Sequence, residues 1–180
     1  MNIEEQKILP ALSSFKSIKE FIKSSIVYCI LVDFQLAELE DIILELKSHN
    51  KKVLVHIDLI KGIAANEFGA IFLIQKLRVD GIISTKHQPI LVAKKRNVIS
   101  IQRIFLKDSI SLGKSLIVVE KVKPDYLEIM PAISNSILTT IIERTHLKVF
   151  CGGLIQTKEQ IQTCLDNGAI GVTTSNIDLW

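Results

Sequence analysis

The stretch VFCGGLIQTKEQIQTCLDNGAIGVTTS, residues 149–175, decides the fold. It opens on Val149-Phe150-Cys151, a run too short for a helix and continuously apolar, as a strand covered on both faces is. Two glycines follow. Thr157-Lys158-Glu159-Gln160 then has capping-box spacing, with a hydroxyl at the N-cap and a glutamine three residues on. Ile161, Cys164 and Leu165 recur at helical spacing, and Gly168 stops the helix. Residues 170–174 are a second apolar run. Strand, helix and strand in this order form one βαβ unit with parallel strands.

The same unit repeats toward the N-terminus. Apolar runs lie at 8–11, 27–32, 53–57, 81–83, 98–105 and 126–130. Between them, Ser17-Ile18-Lys19-Glu20 reads as the capping box of a first helix. Leu36, Leu39, Ile43 and Leu46 mark a second, which Asp33 is placed to cap unless it belongs to a site. The third, over 66–78, is apolar on more than one side (Phe68, Ile71, Phe72, Leu73, Ile74, Leu77). That excess reads either as deeper burial or as a homo-oligomer contact. A weaker helix spans 88–96, Asp108 caps another that ends near Val122, and Ser134 opens one with Ile137, Leu138, Ile141 and Ile142 on one face. Eight such repeats predict a compact α/β (βα)8 TIM-type barrel, one small domain over 1–180, below the roughly 200 residues usual for that fold.

Composition agrees. The 180 residues are 48% hydrophobic and 23% charged, with 22 basic against 19 acidic residues and a net charge of +3. That excludes disorder and does not require a nucleic-acid partner. No apolar run approaches the roughly 20 residues of a membrane span, and Glu4, Glu5 and Lys7 break up any secretory leader. Cys29, Cys151 and Cys164 are odd in number and unpaired in spacing, as expected of buried thiols in a reducing cytoplasm. The four histidines have no metal-site spacing. No metal and no cofactor are expected, and no catalytic nucleophile is marked.

A barrel works at the carboxyl ends of its strands. Those ends carry Asp33, Asp58, Ser84 with Lys86, Gln102 with Arg103, Glu128, Gly152-Gly153 and Thr173-Thr174-Ser175. Gly152 and Gly153 let backbone N–H groups approach an anion. Thr173, Thr174 and Ser175 add hydroxyls, and a helical turn in the tail can face the same anion. Barrels often bind phosphate at these two loops. Glu128 inside a barrel needs a partner: Arg103 can pair with it, or ligand hydroxyls can donate to it. Asp58 and Lys61 lie on a loop able to close over a pocket. Basic clusters fall at Lys51-Lys52, Lys94-Lys95-Arg96, and Lys121 with Lys123.

Several stretches together resemble one family. They are Ile8-Leu9-Pro10-Ala11, Val55-His56-Ile57-Asp58-Leu59-Ile60-Lys61-Gly62-Ile63, Asp80-Gly81-Ile82-Ile83-Ser84-Thr85-Lys86 and Ile101-Gln102-Arg103-Ile104-Phe105. They continue with Glu128-Ile129-Met130-Pro131, Gly152-Gly153-Leu154-Ile155, and Val172-Thr173-Thr174-Ser175 followed by Leu179-Trp180. From about residue 8 onward the chain resembles the glycerol 3-phosphate responsive antiterminators, regulators of glycerol uptake operons. The resemblance implies a barrel that binds glycerol 3-phosphate and then the leader mRNA of a glycerol-operon transcript, preventing termination and stabilising the message. It implies phosphate on Gly152, Gly153, Thr174 and Ser175, and glycerol hydroxyls near Asp58, Lys61, Arg103 and Glu128. Lys94, Lys95 and Arg96 are the candidate RNA contacts, since aromatic residues are too few for a stacking platform. Cys151 stands where a smaller residue is expected. The alternative is a phosphosugar isomerase, aldolase or lyase with Lys61 or Glu128 as acid–base group.

Overall fold

Each apolar run becomes a strand, and each strand pairs in parallel with the next until the last closes on the first. The computed structural model describes residues 2–132 and 135–180. The strands are β1 (Ile8–Leu12), β2 (Tyr28–Leu31), β3 (Lys52–His56), β4 (Gly81–Ser84), β5 (Ile99–Phe105), β6 (Tyr126–Met130), β7 (Lys148–Gly152) and β8 (Gly171–Thr174). The helices between them are α1 (Phe15–Lys23), α2 (Leu36–Ser48), α3 (Glu67–Gln75), α4 (His87–Lys95), α5 (Ser109–Val122), α6 (Asn135–Thr145) and α7 (Lys158–Asp166). A 3-10 turn, Ile177–Leu179, follows β8.

Alternation along the strands sorts the residues. Leu9, Ile30, Leu54, Ile83, Ile101, Tyr126 and Phe150 meet inside the barrel, and Ile3, just before β1, plugs its amino-terminal end. The intervening residues face the helices in two outer clusters, one beneath α1 to α4 and one beneath α5 to α7. Burial on both faces is why the runs read as unbroken apolar stretches.

Local details differ from the sequence reading. Ser14, not Ser17, caps α1: its Oγ accepts the Ser17 N–H, and Ser17 Oγ accepts the Ser14 N–H, each at 3.2 Å. Ser17 is buried inside the first turn. Two serine registers compete there, and this one lets the helix bury Ile18 and Phe21 together. Asp33 does not cap α2. Its backbone is left-handed (φ +61°), and Glu38 Oε2 instead accepts the Gln35 N–H at 2.9 Å. In α3, Ala70, Leu73 and Ile74 are buried, whereas Phe68 is 77% and Phe72 40% exposed. The excess apolar residues of that helix therefore reach solvent. The expected cap Ser134 lies outside the described residues.

Candidate functional site

One step above the apolar layer, the same inward-facing positions turn polar. Leu54 is followed by His56, Ile101 by Arg103, Tyr126 by Glu128, and Phe150 by Gly152. Glu128 is fully buried. Arg103 Nε donates to its Oε2 at 2.6 Å, and the Thr173 hydroxyl donates to its Oε1 at 2.5 Å. Both carboxylate oxygens are engaged, as a buried charge requires. Gly152 is demanded by this network: a Cβ there would lie 2.2 Å from Thr173 Oγ1 and 3.0 Å from Glu128 Oε1.

Above this layer opens a cavity of about 300 Å³. Ser13, Asp33, Leu59, Arg103 and Met130 line it, with residues 153–156 and 173–176. Beyond its Nε bond to Glu128, the Arg103 guanidinium has no hydrogen bond among the described residues, so its terminal nitrogens are free for a ligand. The N–H groups of Gly153, Leu154 and Ser175 meet no acceptor among the described residues either. Two residues beyond Leu154, the Gln156 N–H is taken by Gln160 Oε1 at 2.6 Å. Gly153 (φ +77°) and Leu154 (φ +60°) are both left-handed. For Leu154, 76% exposed, that conformation is costly. A guanidinium, unbonded N–H groups and the Ser13 and Ser175 hydroxyls are the donor set of an anion site.

The tail is anchored beside it. Asn176 lines the cavity, and its N–H donates to Thr174 Oγ1 at 3.1 Å. Trp180 Nε1 donates to the Thr174 carbonyl at 3.3 Å, and the indole packs edge-on against Phe21 with centroids 6.3 Å apart.

The structure thus brings together Gly153, Thr173, Thr174, Ser175 and Arg103 as lining residues, with Gly152 and Glu128 part of the strand-end layer below. The Thr173 hydroxyl is committed to Glu128. Asp58 and Lys61 do not line this cavity. Asp58, in the 3-10 turn Ile57–Leu59, ties the loop after β3 to the one after β4, accepting the Thr85 N–H at 3.1 Å and the Thr85 hydroxyl at 2.9 Å. Lys61 is pinned through its backbone, donating to Phe34 O at 2.9 Å and accepting from the Leu36 N–H at 2.8 Å. These pairings are non-local and leave no mark in sequence.

His56 is the residue the sequence reading passed over. It is 1% exposed, and neither ring nitrogen has a hydrogen bond among the described residues. Burial, reinforced by the Arg103 charge, pulls its pKa down to about 4, so the ring is neutral.

Lys94, Lys95 and Arg96 sit at the opposite end of the barrel, where α4 ends, and Lys94 lines a hollow formed with the starts of β5 and β6. Lys94 pairs with Asp125 at 2.9 Å. Lys95 and Arg96 are exposed and, like Lys121 and Lys123, form no ion pair among the described residues. No group of three or more potential metal ligands occurs among the described residues, and no helix there is long and apolar enough to cross a membrane.

The family model described as glycerol-3-phosphate responsive antiterminator matches residues 8–180. A crystal structure of a glycerol uptake operon antiterminator regulatory protein from Listeria monocytogenes superposes with a TM-score of 0.96 at 33% identity, over 100% of this chain and 97% of that one. A glycerol uptake operon antiterminator-related protein from Thermotoga maritima gives 0.83 at 26% identity, over 96% of each chain. Among curated sequences, the uncharacterized protein YgcP of Escherichia coli is 25% identical over 178 residues, 99% of this chain and 93% of that protein.

Proposed function

The chain belongs to the glycerol-3-phosphate responsive antiterminator family, and from that premise we propose that it is a cytoplasmic, non-catalytic sensor that binds glycerol 3-phosphate in the cavity above β7 and β8 and thereby gains affinity for the leader mRNA of a glycerol operon. One observation carries the metabolite half of this reading: Arg103, Gly153, Leu154 and Ser175 line one cavity, and the N–H groups of the last three meet no acceptor among the described residues. The phosphate takes those donors together with Thr174, with Gly152 and Thr173 fixing the strand ends beneath. The glycerol hydroxyls lie toward Arg103 and Glu128, and Asp58 and Lys61 hold the adjoining loops.

The RNA half rests on family membership and on the basic end of the barrel. Lys95 and Arg96, with Lys94 held by Asp125, supply phosphate contacts there. Metabolite and RNA then occupy opposite ends, and the barrel wall carries the coupling. Self-association is assigned to the exposed Phe68 and Phe72 face of α3.

A filter-binding titration of a leader hairpin tests the reading. Binding should tighten with glycerol 3-phosphate, weaken on charge reversal of Lys95 and Arg96, and fall steeply as salt rises. No RNA affinity with or without the metabolite would overturn it, and product formation from triose phosphates by NMR would establish the enzyme alternative.

A further inference from the structure

We propose that His56 is the residue by which this site distinguishes a hydroxylated phosphate ester from phosphate itself, its Nε2 accepting a hydrogen bond from a ligand hydroxyl. The inference rests on the metabolite reading above and deepens it. An imidazole has a donor and an acceptor, and a buried one is normally satisfied at both. His56 is satisfied at neither. It lies on the inward face of β3, two residues beyond Leu54 of the barrel core. Its charged neighbours there are Glu128 and Arg103; Arg103 lines the cavity, and His56 lies beneath that lining rather than in it. On its other side, Asp58 Oδ2 stands 3.4 Å from Nδ1. That is long for a hydrogen bond, yet it places a carboxylate where it favours a proton on Nδ1. The ring is thereby set as the tautomer whose Nε2 carries the lone pair. Asp58 is held by both donors of Thr85, so it acts as a positioning residue through His56.

An apolar residue would fill this position at no polar cost. The unsatisfied imidazole is explained if the protein keeps an acceptor ready for a hydroxyl that arrives with the ligand. A phosphate on Arg103 is held by the one cavity-lining residue named among the charged neighbours of His56. The chemistry selected is a short phosphate ester bearing hydroxyls.

Calorimetry on the full chain with three probes tests this: inorganic phosphate, n-propyl phosphate and glycerol 3-phosphate. In the wild-type protein the glycerol ester should bind about tenfold more tightly than the propyl ester, the value of one good hydrogen bond. In His56→Leu that preference should vanish while affinity for inorganic phosphate stays within about twofold. His56→Gln should restore part of it. His56→Leu without ligand should melt at or above the wild-type temperature, because it removes an unpaired polar group; a structural histidine would lower it. Nitrogen-15 NMR of the wild type should show Nε2 shifting on addition of glycerol 3-phosphate and not of inorganic phosphate. Retention of the preference in His56→Leu, or an unmoved Nε2 signal, would overturn the inference while leaving the anion site standing. Failure of all three probes to bind the wild type would instead count against the metabolite reading.

Discussion

Arg103 has two tasks, and they predict different outcomes. It neutralises Glu128 beneath and offers its free nitrogens to the cavity above. Arg103→Met should cost about 3–5 kcal/mol, because it strands a buried carboxylate, and should abolish ligand binding. Adding Glu128→Leu should recover most of that stability and none of the binding. Denaturant midpoints and calorimetry on both variants separate the two tasks. Gly152→Ala, by forcing Thr173 away from Glu128, should cost roughly 1–3 kcal/mol. His56 sets an acid limit. Its folded pKa, about 4, lies below the ordinary value near 6.5. The unfolded chain therefore takes up the proton first as pH falls, and the stability present above 6.5 is lost toward 4. That loss is about 2 kcal/mol by pH 5, and it should be missing from His56→Leu when unfolding free energies are compared between pH 7 and 5.

Elements were more legible than contacts. Strands β1 to β8 could be read because each is apolar on both faces, and the α7 box at Thr157 because its partner Gln160 is local. The cap of α1 was misread, since serines at 13, 14 and 17 offer competing registers that only the burial of Ile18 and Phe21 resolves. The Arg103–Glu128 pair was among the options because both residues interrupt apolar strands at the same height. Asp58 with Thr85, and the unsatisfied ring of His56, were invisible: one is non-local, and the other is the lack of a hydrogen-bond partner. At this scale, Thr157→Ala should cost about 1 kcal/mol and leave the ligand affinity unchanged. Phe68→Glu with Phe72→Lys should leave stability within about 0.5 kcal/mol, as exposed positions do. The same pair should abolish any concentration-dependent association in sedimentation experiments, and persistent association would move the contact away from α3.

For the molecule as a whole, the two ends of the barrel are linked by thermodynamics whatever the mechanical route. If glycerol 3-phosphate tightens RNA binding by some factor, RNA must tighten glycerol 3-phosphate by the same factor, and titrations in both orders should agree. The central claim is the site itself. Gly153→Asp is its sharpest probe: aspartate tolerates a left-handed backbone, and the one tight contact of the new Cβ would be the flexible Met130 Cε, at 2.9 Å, with Pro131 Cα at an ordinary 3.5 Å, so the barrel should fold. The carboxylate would then put a negative charge at the cavity wall beside Met130, where it repels a phosphate. Calorimetric titration of glycerol 3-phosphate should give saturable binding to the wild-type protein and none to Gly153→Asp of unchanged circular dichroism; equal binding by the two would contradict the account.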